Sequence, residues 1–598
     1  MQPSVPDPRH VANGHVIPTE SYSDQPYIIK ADDGAWVCVL TTGAGHEGQK
    51  GQHVVSFRST DQGRTWSGPV DIEPADGPEA SYAVLLRAHS GRIYVFYNHN
   101  TDRVTEVKRE DEGAFSRVDS LGHFVFKYSD DHGRTWSERR YDIPVRKFAC
   151  DLGNVYDGEL CFFWNVGKAF SIGDDAYVPI IKVGAMGVGF FAQSEGALLH
   201  SPNLMTEPDP DRIAWETLPD GEIGLRTPPG GGRISEEQSY CVMSDGSFYC
   251  VYRTVDGYPV EAYSRDGGHT WTQPRYKCYA DGRRMKHPRA ASFAWGCSNG
   301  KYLYWFHNHG GRFVQLHDPT GYEDRNPVWL SMGEEVRTGE GLVIRWSEPE
   351  IALYDDDPHI RMSYPDMIED AGKLYLTETN KDLARVHEID AGFLGKLFGQ
   401  FETDTVTEDG LLLQLPESGA QLPAHAPMPA LPALLQRDTA SPDYRTRDNR
   451  TGFAIELRVG FDSLDPGQVL LDSRSDDGRG LLLQTADAGA VELLLNDGRT
   501  ENRWACDPGS LSTGHEHHIG IIVDGGPKII SFVIDGRLND GGDCRQFGWG
   551  RYSPNSRTPV GAPTLRIGSS VSGHLSLLRI YGRALMVTEL IGNCRSRG

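Results

Sequence analysis

Ser59-Thr60-Asp61-Gln62-Gly63-Arg64-Thr65-Trp66 decides the fold, because the chain writes the same phrase twice more. The copies are Ser129-Asp130-Asp131-His132-Gly133-Arg134-Thr135-Trp136 and Ser264-Arg265-Asp266-Gly267-Gly268-His269-Thr270-Trp271. The shared pattern, Ser-x-Asp-x-Gly-x-Thr-Trp, suits a hairpin turn. Its Ser and Asp can bond backbone amides, its Gly supplies a positive φ, and its Trp packs between sheets. Those duties make the motif structural rather than catalytic. The copies start 70 and then 135 residues apart, and 135 is about twice a period of ~67 residues. Degenerate copies are therefore expected in the gap and after the third box. Leu198-Leu-His-Ser201 with Trp215, and Val328-Trp-Leu-Ser331 with Trp346-Ser-Glu-Pro349, fill those places. Phased units thus run from Ser59 to Ser331.

Each unit reads as short strands. Alternating runs such as His53-Val-Val-Ser-Phe-Arg58 and Val260-Glu-Ala-Tyr263 lead into the boxes. A further sheet is available from Met362–Ile368, Lys373–Thr377 and Ala384–His387. A strand from the N-terminus would pair with it and close a ring, leaving few exposed edges. Residues 1–400 are read as a six-bladed β-propeller.

A break follows. Ile389 to Phe401 predicts a short amphipathic helix, and the Pro- and Ala-rich stretch from Pro416 to Pro432 predicts a loop. Strands then return at Phe453–Val459, Gly480–Gln484, Val491–Leu495, His518–Val523 and Ile529–Ile534, and Asp409–Gln414 is available as a first strand. His515-Glu-His-His518 has the look of a metal cluster, but it runs straight into an apolar alternation and is read as a strand edge; no metal site is expected. The phrases Ile519-Gly-Ile-Ile-Val-Asp524-Gly525 and Val533-Ile-Asp535-Gly536 resemble the laminin-G, or concanavalin-like, jelly-roll family, as does the ending Leu577–Leu585 with Glu589. The expected fold class is all-β: a propeller, then a jelly-roll β-sandwich over 401–598. Carbohydrate binding and packing against the propeller are both open as roles for the second domain.

Bulk properties narrow the function. A chain of 598 residues holds more than one ordinary domain. A formal net charge of −24 argues against nucleic acid as a partner, although a local arginine cluster could still hold a small anion. No run of 18 apolar residues appears, so no membrane-spanning segment is expected. The first residues lack the basic and apolar regions of a signal peptide, which predicts a cytoplasmic protein or one trimmed of its export signal. The ten cysteines are scattered in apolar runs and are read as free core thiols.

Three such boxes on a ~67-residue blade resemble the sialidase superfamily, where they are called Asp-boxes; the resemblance covers roughly residues 20 to 390. Fold does not imply function, so the site must carry the activity. Ser235-Glu236-Glu237-Gln238 resembles the family's Glu-x-Gln phrase, which implies Glu236 as the glutamate that activates the nucleophile. Val251-Tyr-Arg253 and Asp324-Arg325-Asn326-Pro327 are similar to strands holding substrate-binding arginines, with Arg312 competing for the second place. Ser363-Tyr364-Pro365-Asp366 resembles the stretch with the tyrosine nucleophile. The residue types fit the chemistry. A sialic acid carries a carboxylate on its anomeric carbon, which would repel an anionic nucleophile. A neutral tyrosine with a glutamate partner avoids that. Arginines hold the carboxylate bidentately.

Two departures stand out. Where the family's first blade has an arginine two residues before a proline, this chain reads Tyr22-Ser23-Asp24-Gln25-Pro26. Asp24 and Gln25 then join the substrate-binding candidates, and weak handling of ordinary N-acetylneuraminic acid is expected. Asp24 would repel the substrate carboxylate, unless it pairs with Arg253 or Arg325 or binds a sugar hydroxyl. The loop Gly43–His53 lacks the family's acid/base aspartate; Glu47 is the substitute, with His46 or His53 behind it and His53 a binding candidate. The resemblance implies an exo-acting glycoside hydrolase that releases a terminal acidic sugar from an oligosaccharide or polysaccharide, without a cofactor. A polysaccharide lyase using Tyr364 and a histidine, a non-sialidase glycosidase, and a glycan-binding propeller without turnover are the alternatives.

Overall fold

The computed structural model describes residues 7–119, 122–187, 190–311, 324–416, 422–437 and 445–596. The chain forms two compact units. One is Val11–Trp346 with Asp357–Ala391; the other takes residues 7–10, Ser347–Asp356 and the chain from Gly392 onward.

The first unit is built from antiparallel sheets that follow one another along the chain, six of them with four or five strands among the described residues. The first runs Tyr22–Lys30, Trp36–Gly43, His53–Ser59, Val70–Asp71, and the second Ala80–Arg87, Ile93–His99, His123–Ser129, Tyr141–Asp142. The third holds the long pair Asp175–Gly187 and Phe190–Ser201; the fourth begins with Glu236–Val242 and Phe248–Arg253, the fifth with Phe293–Gly296 and Tyr302–Phe306. The sixth is Met367–Asp370, Lys373–Thr379 and Ala384–Glu388, and its outer strand is His15–Ile17 from the other end of the unit, with Val16 opposite Arg385. The expected N-terminal closure is therefore present, and a closed ring leaves no blade with an open flank.

The three boxes do what their residues predict. Ser59 Oγ accepts from Gly63 N at 2.8 Å, and Asp61 accepts from Thr65 N at 2.9 Å and Thr65 Oγ1 at 2.7 Å. The same bonds recur at Ser129/Asp131 and Ser264/Asp266. Each box glycine also touches the preceding blade. A Cβ on Gly133 would lie 2.9 Å from Val37, one on Gly268 3.3 Å from Leu198, and one on Gly63 3.2 Å from Val386. The last contact joins the first blade to the sixth like any other pair. The phasing fails in one place. Ser331 sits mid-strand in Val328–Thr338, opposite Tyr304, and the turn comes later, before Gly341–Trp346.

Residues 163–168 cross the middle of this ring. The carbonyls of Phe163, Asn165 and Val166 accept from Asn98, Gln25 and Tyr27, and Lys168 Nζ donates to Asp366 at 2.8 Å. A Cβ on Gly167 would lie 2.3 Å from the Gln238 carbonyl, so only glycine fits there. The segment thus touches the first, second, fourth and sixth blades.

The second unit holds a seven-stranded and a six-stranded antiparallel sheet that share one apolar core, including Phe453, Leu457, Leu471, Leu493, Ile521, Phe532 and Leu578. The strands expected from 453, 480, 491 and 529 are all present, with Gly573–Tyr581 near the end. The expected helix is Ala391–Phe398. His517 and His518 open the strand Glu516–Asp524, which is interior to its sheet rather than at an edge. They serve structure. His517 Nδ1 meets Asp535 at 2.7 Å, and His518 Nε2 meets the buried Glu456 at 3.1 Å. The sequence cut the chain once, at 400/401; the compact units are discontinuous. The buried Glu350 explains one crossing: its carboxylate accepts from Val587 N at 3.0 Å and Thr588 N at 2.7 Å, capping the helix Val587–Arg595.

All ten cysteines are unpaired. Among the described residues no helix is long and apolar enough to cross a membrane, and no His, Cys, Asp and Glu cluster could hold a metal ion.

Candidate active site

The site is made by a repeated irregularity of the innermost strands. In the first, second and fourth blades the pairing slips by one residue, between Asp24 and Tyr27, Ser81 and Val84, and Glu236 and Ser239. Ser363 opposite Thr379, and Met367 opposite Leu376, show the same slip in the sixth. At each bulge a residue with a side chain takes a positive φ: Gln25 at 54°, Tyr82 at 62°, Glu237 at 59° and Tyr364 at 49°. Such residues are costly there and persist only where surrounding packing enforces them, a pattern found at functional sites.

Two of these four meet. The Tyr364 hydroxyl lies 3.2 Å from Glu237 Oε1. Glu237 Oε1 also takes Arg253 Nη2 at 3.0 Å, and its other oxygen is buried without a hydrogen bond. Burial raises the Glu237 carboxyl, Arg253 opposes this and Glu236 adds to it, leaving it pushed up to about 7. Burial and the Glu237 charge push the Tyr364 phenol up to about 12, against Lys381 and Arg253.

Glu236 does something else. It lies between Arg253 Nε at 2.8 Å and Arg289 Nη2 at 2.7 Å. Burial opposes its ionisation, but the two guanidinium groups prevail and hold it below the usual carboxylate range. The glutamate facing the tyrosine is thus Glu237, not Glu236 as the sequence implied. Two adjacent glutamates look alike until the bulge decides which one turns. Arg325 is buried, donates to Ser363 Oγ at 2.7 Å and to the Arg289 carbonyl at 3.2 Å, and lies close enough to Tyr364 and Arg253 to feel both. Arg253, Arg289 and Arg325 therefore form one group beside Tyr364. Arg289 escaped the sequence reading, although it stands just before the strand Phe293–Gly296, as Tyr364 stands just before Met367–Asp370. Arg312 lies outside the described residues.

The other flank is organised by Lys381, a residue the sequence did not single out. It sits in the turn after Lys373–Thr379, with φ 80°. Its ammonium is 2.5 Å from Asp24 Oδ2, 3.1 Å from Glu47 Oε2 and 4.2 Å from the centre of the Tyr364 ring. Asp24 also takes the Tyr22 hydroxyl at 2.6 Å. It pairs with Lys381 rather than with Arg253 or Arg325. Burial raises its carboxyl above the ordinary range, Lys381 opposes and Glu47 adds. Glu47 is also held by Arg117 at 3.1 Å. Burial works against its charge, yet Lys381 and Arg117 hold it far below the usual range. A carboxylate so held is ionised at neutral pH and is poorly suited to the acid role the sequence gave it. Arg117 in turn pairs with Asp119, which takes the Tyr82 hydroxyl at 2.5 Å, and lies over the Phe190 ring at 3.8 Å.

Gln25 is buried and spends its amide on the Asn165 carbonyl at 2.9 Å, so it braces the central segment. His53 Nδ1 meets the Gly51 carbonyl at 3.1 Å and its ring faces Glu20 and Asp71, not Tyr364.

The family model for the BNR/Asp-box repeat matches residues 127–138, the second box. No curated protein matches the chain. Among solved structures, an unknown-function protein from Dyadobacter fermentans is 15% identical over 63% of this chain and 97% of its own, with a TM-score of 0.44. The intramolecular trans-sialidase from Ruminococcus gnavus is 15% identical over 64% and 98%, at 0.43. Trypanosoma rangeli sialidase is 14% identical over 96% and 93%, at 0.41. Box bonds, blade order and ring closure agree with the repeat match: the chain carries an Asp-box β-propeller.

Proposed function

We propose that the protein is an exo-acting glycoside hydrolase that releases a terminal acidic sugar, with Tyr364 as nucleophile and Glu237 as its base. The supporting observation is the 3.2 Å approach of the Tyr364 hydroxyl to Glu237 Oε1. Glu237, poised near neutrality, takes the phenol proton as the oxygen attacks the anomeric carbon, and the bond to the leaving oxygen breaks. A neutral phenol suits an anomeric centre bearing a carboxylate, and Arg253 and Arg325 are the cations for that group. The test is to trap the glycosyl-enzyme with a fluorinated acidic glycosyl fluoride and locate the label by peptide mass spectrometry. Label on Tyr364 is expected; label elsewhere, or none despite turnover, removes the proposal. Of the two histidines a lyase would use, His46 and His53, the second faces away.

Glu237 sets the pH dependence. Its carboxyl must be ionised to act as base, so kcat/KM should rise with pH through about 7. Stability should move the other way. The group is raised in the folded protein, so its contribution is full below the unfolded value and is lost as pH climbs through about 7. In Glu237→Gln the neutral-range change in both profiles should vanish; a limb that survives belongs to another group.

Glu47, held as a carboxylate by Arg117 and Lys381, is assigned neither the acid nor the base role, so the leaving oxygen departs as an anion that takes its proton from water. Aryl glycosides, whose leaving groups need little protonation, should then react far faster than alkyl ones. A flat dependence of kcat/KM on leaving-group acidity would show that a general acid is present after all.

A further inference from the structure

We propose that Lys381 is a positioning residue that holds the Tyr364 phenol in its reactive state, and that Asp24 and Glu47 exist to clamp it there. The inference rests on the reading of Tyr364 as nucleophile. Its geometry is independent of that reading: an ammonium 4.2 Å from the ring centre, with carboxylates 2.5 and 3.1 Å from it.

A lysine in a polar turn, Asn380-Lys381-Asp382, ordinarily extends into water. Here the turn is wound the other way. Asn380 Oδ1 accepts from Leu383 N at 2.7 Å and Asp382 N at 3.1 Å, and Lys381 takes a positive φ. The Lys381 carbonyl accepts from Ser23 N, at 2.7 Å, which ties the turn to the first blade beside Asp24. The side chain is then 18% exposed. This arrangement brings one cation onto the π face of the phenol. A phenolate ring attracts a cation more strongly than a phenol does, so Lys381 favours loss of the proton to Glu237 and makes Tyr364 a better leaving group when the glycosyl-enzyme breaks down.

The charges around the phenol act in both senses. Lys381 on its own blade, Arg253 on the fourth and Arg325 on the fifth draw the proton off; Glu237 on the fourth and Asp24 on the first hold it on. Tyr27, on the first blade, is buried beside them. Arg253 is shared with Glu236 and Glu237 and Lys381 with Asp24 and Glu47, but Lys381 is seated over the ring itself.

The experiment places a fluorinated tyrosine, whose phenol ionises near neutrality, at position 364 and follows its titration by 19F NMR without substrate. Lys381→Met should raise the midpoint by at least about one pH unit, and Lys381→Arg should restore most of the difference. Should Lys381→Met fail to fold, the double variant Lys381→Met/Asp24→Asn is compared with Asp24→Asn alone, where the same upward move is expected. An unchanged midpoint overturns the proposal. The kinetic arm uses the unlabelled protein: Lys381→Met should lower kcat by about 10-fold or more, with little change in KM. A moved midpoint with undiminished kcat would leave Lys381 acting on the phenol and would instead remove Tyr364 as nucleophile.

Discussion

Replacing Tyr364 by Phe should lower turnover on the true substrate by at least about 100-fold while the protein melts almost where it did. The phenol oxygen makes one hydrogen bond, to Glu237 at 3.2 Å. Its loss costs about 1 kcal/mol of stability, and Glu237 keeps Arg253 at 3.0 Å. The ring, which packs under Lys381, is unchanged in shape. Activity within a few-fold of the parent, with the fold confirmed by circular dichroism, would exclude the tyrosine mechanism. A large loss of melting temperature would instead make Tyr364 a core residue.

Glu236→Ala should do the reverse, striking stability first. Glu236 is fully buried between Arg253 and Arg289 and accepts from both. Removing it takes a buried carboxylate away from two guanidinium groups in a closed space, and breaking a buried pair in this way costs about 3–5 kcal/mol. Denaturant melts of Glu236→Ala and Glu237→Gln give the comparison. The first should lose several kcal/mol. The second should lose little stability and about 10²–10⁴ in rate, the usual worth of a general base. The opposite pattern would return the base role to Glu236.

The sequence disclosed what local chemistry decides. An Asp-box is self-contained: Ser59, Asp61, Gly63 and Thr65 bond one another within one turn, so four letters specify the geometry. The degenerate fifth unit misled because the place of the motif's Asp is taken by Gly333, and pairing ran on to Thr338. Tyr364 and Arg253 were legible from their phrases. Lys381 was not, since nothing in Asn380-Lys381-Asp382 tells of Asp24 and Glu47, which arrive from hundreds of residues away. The Glu236/Glu237 exchange has the same root. A bulge is a mismatch between two strands, and one strand read alone does not show it.

Residues 163–168 have a consequence for traffic. A segment hydrogen-bonded to the first, second and sixth blades, and pressed against the fourth at Gly167, occupies the ring's centre, so a polymer has no passage through it. Under the proposed chemistry a glycan must enter and retreat by the same door. Substrate and freed sugar then share one face of the ring, and the sugar has to leave by the way its successor comes in. Turnover would then depend on how quickly the vestibule clears, and added product should slow it by competing for entry.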